Sequence, residues 1–169
     1  MRLSSLFALL CLLLPSACVA PQPREAAVAF VVVRHAEKAA DDPRDPSLSQ
    51  AGRERAQALA RVLRDEPIVA AYATQYRRTA ETAQPTADAR GLTVTAYDAD
   101  LPATALATQL RRDHVSGTVL VVGHSNTVPD IVAALCGCAV PPLAESDYGD
   151  LYRITHAADG TARLVRGGF

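Results

Sequence analysis

Two short runs of the chain are apolar at almost every position, and that continuity limits the fold more than any other feature. Ala27–Val33 holds three consecutive valines and stops at Arg34-His35; Thr118–Val122 is almost pure Val and Leu and stops at Gly123-His124. A strand with one wet face alternates apolar and polar residues, whereas a strand covered on both faces needs no polar position. Both runs therefore read as interior strands of a parallel sheet.

The intervening segments supply the cover. Ala39–Ser47 is polar and contains proline, hence a surface loop. Ser49 caps a helix to about Arg64, with Leu59, Val62 and Leu63 on one face. Ile68–Ala73 is a second strand and Thr79–Ala89 a second helix, which Pro85 is expected to kink or divide. Gly91 ends that helix before a third strand, Leu92–Ala96. Ala103–His114 is helical, Gly117 punctuates it, and Val128–Leu135 is a short helix with Pro129 in its first turn. Leu151–Thr155 and Ala162–Val165 form a closing hairpin around Asp159-Gly160. The alternation predicts one α/β domain over residues 25–169, a three-layer αβα sandwich with a mostly parallel central sheet and helices on both faces. With aromatics at 5% and no Trp, its core must come from Val, Leu, Ala and Ile.

Residues 1–20 read as a signal peptide: Arg2 is a positive start, Leu6–Leu14 is apolar, and Pro15 to Ala20 are mostly small. The apolar run is too short for a lasting membrane helix. Two processing routes are open: cleavage after Ala20, or lipidation at Cys18 as the first residue of a bacterial lipoprotein. Either exports the protein, to a periplasmic or secreted location, and membrane contact is expected only through such a lipid anchor. Cys136-Gly137-Cys138 is spaced too tightly for an ordinary bridge and has no further ligands at zinc spacing, so it reads as two helix-end cysteines, although an exported compartment would permit a strained disulfide.

A net charge of −1, without a long basic or acidic run, leaves no footprint for nucleic acid or an anionic membrane. An anionic ligand must therefore be met by a local arginine cluster. In open α/β sheets the ligand crevice lies at the carboxyl ends of the strands, where Arg34-His35 and Gly123-His124 both sit. Burying Arg and His without partners is unfavourable, so packing alone explains neither pair. Gly123 suggests that something approaches the backbone there. Thr74-Gln75-Tyr76-Arg77-Arg78 follows the second strand; a helix beginning here would aim backbone donors at an anion, and arginine forks bind phosphate oxygens. Arg34, His35, Arg78 and His124 together suit a phosphoryl group, whose transfer is mainly positioning and charge stabilisation.

The motifs resemble those of the histidine phosphatase superfamily, in its phosphoglycerate-mutase-like branch. Val33-Arg34-His35-Ala36-Glu37 is similar to the family's Arg-His-Gly or Arg-His-Ala signature, and Leu48-Ser49-Gln50-Ala51-Gly52-Arg53 to the Leu-Thr-x-x-Gly stretch after it. Arg78-Thr79-Ala80-Glu81-Thr82-Ala83 resembles the Arg-Ala-x-x-Thr-Ala element, which selects Arg78 over Arg77, and Val122-Gly123-His124-Ser125 the second-histidine motif. The resemblance implies attack on phosphorus by His35 through a phosphohistidine, a grip on the phosphoryl oxygens by Arg34, Arg78 and His124, and no metal or cofactor. Attack requires a neutral imidazole with its other nitrogen fixed by the backbone. Glu37 and Ser125 join the expected substrate-binding set.

The family's general acid, a Glu after the third strand, has no direct counterpart. Asp98 stands nearest to that role, with Asp100 the poorer choice; the alternative makes both loop residues ahead of the next helix. Without an acid, good leaving groups, phosphohistidine and phosphoanhydrides are favoured. Little room exists between Arg78 and Gly123 for the enclosing insertions of mutases. Glu145, Tyr148 and Asp150 precede the closing hairpin, where they are placed to rim the site. The leading expectation is thus an exported, metal-independent phosphomonoesterase of the histidine acid phosphatase type, acting on a small phosphorylated substrate. Its alternatives are a catalytically weak phosphate-binding envelope protein and a phosphoglycerate-mutase-type isomerase.

Overall fold

A computed structural model describes residues 28–157 and 159–169; the leader, Cys18 and the start of the first expected strand at Ala27 lie outside the described residues. The chain runs β1 (Val28–Arg34), α1 (Gln50–Val62), β2 (Ile68–Thr74), α2 (Arg77–Asp88), β3 (Val94–Tyr97), α3 (Ala103–Asp113), β4 (Gly117–Gly123), α4 (Val128–Cys136), β5 (Asp150–His156) and β6 (Ala162–Gly168). The strands form one sheet in the order β3-β2-β4-β1-β5-β6. The first four are parallel to their neighbours, while β5 pairs antiparallel with β1 and β6 antiparallel with β5, as the closing hairpin requires.

Every residue of β1 is buried because the sheet is covered on both sides. Phe30, Val32, Val119 and Val121 pack with Leu106 and Leu110 of α3 and Ile131, Val132 and Leu135 of α4. The alternate residues Val31, Val33, Leu120 and Val122 pack with Leu59, Leu63 and with Ala83 and Ala87 of α2. Burial of each such Val or Leu contributes about 1.5–3 kcal/mol. The three layers are therefore α1 and α2, the sheet, then α3 and α4. Ser49 caps α1 as expected, its side chain accepting from the Gly52 N–H.

Two local readings are corrected. Pro85 does not divide α2, which is one helix from Arg77 to Asp88. The single backbone bond that proline forfeits is outweighed by a continuous buried face, Thr79, Thr82, Ala83, Thr86 and Ala87, on both sides of it. Cys136 and Cys138 are not separate thiols but disulfide-bonded, with Cα atoms 5.2 Å apart, inside the range a bridge accepts. Gly137 makes this possible by ending α4 in the left-handed region, φ 65°, which swings Cys138 back towards Cys136.

Candidate active site

Adjacent strands bring the two histidines to the same edge of the sheet. Arg34 is the register partner of Gly123, and the His35 N–H donates to the Gly123 carbonyl at 2.9 Å. The imidazoles follow directly, both buried, with ring centroids 5.3 Å apart and planes at 67°.

His35 Nδ1 lies 2.8 Å from the Ala36 carbonyl oxygen. A carbonyl can only accept, so Nδ1 carries the proton and the neutral ring keeps its lone pair on Nε2. Burial pushes the His35 pKa down to about 3, against the pull of the Ala36 hydrogen bond, so the ring is neutral at physiological pH. This is the backbone contact that attack by imidazole requires.

His124 is fixed by hydroxyls that sequence reasoning did not single out. Thr79 Oγ1 donates its one proton to the Tyr76 carbonyl at 2.7 Å. Its 2.7 Å contact with Thr74 Oγ1 must then use the Thr74 proton, and Thr74 accepts from His124 Nε2–H at 3.0 Å. The His124 backbone N–H meanwhile donates to Thr127 Oγ1 at 3.0 Å. Burial, then Arg78 and Arg34, lower the His124 pKa to about 4. Gly123 is explained by these neighbours: a Cβ there would meet Thr127 Oγ1 at 3.0 Å and the Tyr97 hydroxyl at 3.2 Å.

The histidines line an open cleft of about 280 Å³ together with Lys38, Tyr76, Arg78, Asp100, Ser125, Asn126 and Glu145. The Arg78 guanidinium stacks 4.4 Å from the centre of the Tyr76 ring and lies 3.9 Å from Asp45. Its Nε is buried with no protein partner. The first donor of α2 is not free for an anion, since the Arg77 N–H donates to Asp45 Oδ1 at 2.9 Å.

Arg34 is held differently from the expectation. It is 2% exposed and is not among the cleft-lining residues. Its Nη1 donates to the carbonyls of Ala144, Glu145 and Asp147, at 3.0, 2.9 and 3.0 Å. Its Nη2 donates to Glu145 Oε2 at 3.0 Å, and Tyr148 stacks on the guanidinium 4.2 Å away. Only Nε is without a partner.

A family model, Histidine phosphatase superfamily (branch 1), matches residues 30–101, which include Arg34, His35 and Arg78. Over that stretch the chain is similar to the histidine phosphatase superfamily. No curated protein sequence matches it. Solved structures share the fold at low identity. The protein histidine phosphatase SixA complexed with tungstate is 19% identical at TM-score 0.66, covering 83% of this chain and 96% of that one. A mycobacterial glucosyl-3-phosphoglycerate phosphatase is 16% identical at TM-score 0.65, covering 85% and 98%. Mycobacterial hydrolase 1 is 17% identical at TM-score 0.64, covering 82% and 97%.

The site departs from the expected one at its acidic residues. Glu37 does not reach the cleft. Its carboxylate receives Arg55 Nε at 2.9 Å on both oxygens, a pairing that also holds its pKa below the usual range. Asp98 is likewise outside the cleft: it is exposed and accepts the Asp100 N–H at 2.9 Å, the action of a turn-capping residue. Of the two aspartates, Asp100 lines the cleft. Ser125 lines it as expected, donating to Glu145 Oε1 at 2.5 Å. Tyr148 reaches the site through Arg34, whereas Asp150 pairs with Arg166 across the hairpin. Among the described residues no group of three or more His, Cys, Asp or Glu is gathered as metal ligands would be, and no helix is long and apolar enough to cross a membrane.

Proposed function

We propose that this protein is a phosphohydrolase that cleaves small phosphomonoesters or related phospho-compounds without a metal, through a phosphohistidine on His35. The observation that carries the reading is the His35 ring itself, neutral, with Nδ1 tied to Ala36 and Nε2 free beside a cleft that holds Arg78 and His124. In the first step a bond forms between Nε2 and phosphorus while the bond from phosphorus to the leaving group breaks. In the second, water attacks the phosphohistidine, phosphate departs and the imidazole is restored. Arg78, through its unpartnered Nε–H, holds the phosphoryl oxygens as charge shifts onto them, while His124, its Nε2–H given to Thr74, lines the cleft beside them.

The leaving group's proton sets the substrate range. Asp100 and Glu145 are the carboxyl groups at the cleft, and Glu145 is kept ionised by the Ser125 hydrogen bond first and by Arg34 second. A carboxylate of this kind is a weak proton donor, which favours aryl phosphates, phosphoramidates such as phosphohistidine, and anhydrides over simple alkyl esters. Export is part of the proposal, to the periplasm or the medium, with Cys18 as the lipid anchor where the lipoprotein route is taken; mass spectrometry of the mature N-terminus distinguishes the routes.

The test is hydrolysis of an aryl phosphate, with and without chelator, by the wild type and by His35→Ala. Turnover that survives the chelator and disappears in the variant supports the proposal; equal hydrolysis by His35→Ala removes the nucleophile. Phosphate binding without turnover would favour the weakly catalytic binding protein instead.

A further inference from the structure

Arginine binds an anion most tightly along its Nε–Nη2 edge, where two parallel N–H groups match two oxygens. In Arg34 that edge is half occupied. Nε is buried and unpartnered, while Nη2 donates to Glu145 Oε2 at 3.0 Å. The other Glu145 oxygen accepts from Ser125 Oγ at 2.5 Å, so one carboxylate spans two donors beside the histidines. Glu145, unlike Arg34, lines the cleft, and its side chain is 76% exposed, hence free to swing away. The segment around it does not depend on that side chain, because Arg34 Nη1 holds the Ala144, Glu145 and Asp147 carbonyls directly.

We propose that Glu145 is a resident anion, seated on Arg34 Nη2 and Ser125 where substrate oxygens bind, and that a phosphoryl group enters by displacing it. The proposal rests on the phosphohydrolase reading and deepens it. Displacement opens the full Nε–Nη2 fork of Arg34 and releases the Ser125 hydroxyl, which completes a set of donors with Arg78. Until then Arg34 serves the 144–148 segment rather than the substrate. The carboxyl pKa of Glu145 is lowered by Ser125 and then by Arg34, so the resident group carries its charge at neutral pH and opposes an incoming dianion. Glu145 is therefore a specificity-determining residue: it weakens binding of bare phosphate, the product, and leaves the advantage to substrates whose remaining groups make contacts elsewhere in the cleft.

The test is calorimetric titration of wild type, Glu145→Gln and Glu145→Ala with inorganic phosphate, beside aryl phosphate hydrolysis by the wild type. Removing a competing, mostly exposed carboxylate should tighten phosphate binding about five- to twentyfold, more in Glu145→Ala than in Glu145→Gln. Binding that is unchanged or weaker in both variants overturns the displacement, while wild-type turnover leaves the phosphohydrolase reading standing. Loss of turnover in Glu145→Gln with unchanged phosphate affinity makes Glu145 the proton donor, which also overturns it. No phosphate binding by any of the three, together with no wild-type hydrolysis, removes both readings.

Discussion

Lowering the pH from 6.5 to about 4.5 sets two buried imidazoles against their surroundings. An exposed histidine in the unfolded chain takes up a proton near pH 6.5, whereas His35 and His124 resist it until about 3 and about 4. The unfolded chain therefore binds more protons across this window, and the fold is weakened as pH falls from the unfolded value towards the folded ones. Each group contributes close to one proton of difference over most of the window, so each removes about 2 kcal/mol of stability, about 4 kcal/mol for the pair. Neither needs a solvent discount, since His35 is 3% exposed and His124 8%. The assay is urea denaturation at the two pH values for wild type and His35→Asn, which keeps a polar side chain but does not titrate. Other titrating groups, His156 among them, are common to both proteins and cancel in the comparison. The variant should lose about 2 kcal/mol less than the wild type on acidification. Parallel losses in the two proteins would refute the claim that His35 is held neutral by burial.

The same ionisation places the acid limb of kcat/KM for an aryl phosphate near pH 3, well below the ordinary histidine value, because the nucleophile is spent only when His35 is protonated. Arg78→Ala should lower kcat/KM by about 10²- to 10³-fold, the usual loss when a transition-state donor is removed. Asp98→Asn should stay within about twofold of wild-type turnover, since that carboxylate caps a turn rather than facing the cleft. Gly52→Ala should destabilise the protein by about 1–3 kcal/mol in chemical denaturation, as its Cβ would press into the Glu37 carbonyl that also accepts the Ser49 N–H.

The fold was largely legible because burial leaves a simple trace. A strand covered on both faces needs no polar residues, so Val28–Val33 and Thr118–Val122 announced the sheet interior, and the residue after each marked the functional edge. Pro85 did not divide its helix because the packing that opposes its strong propensity involves β2 and β4, far away in sequence. The cysteine pair misled because spacing was weighed without the left-handed turn at Gly137. At the site, short motifs identified His35, His124 and Arg78, whose neighbours are local or one strand away. The partners of Arg34 stayed hidden: Glu145 is 111 residues distant, in a segment with no periodicity to read. Glu37 and Asp98 were plausible by proximity to the motifs, but Arg55 and the Asp100 N–H had first claim on their carboxylates.

The bond from the His35 N–H to the Gly123 carbonyl does more than close a ladder. It makes the gap between the two imidazoles, 5.3 Å between ring centroids, follow the spacing of neighbouring strands, about 4.8 Å, a length set by peptide hydrogen bonding. The connections from β1 to β4 can lengthen, shorten or change chemistry without altering it. Diversification of such a site therefore falls on what approaches the pair from outside, the 144–148 segment and the cleft rim, while the ruler beneath stays constant.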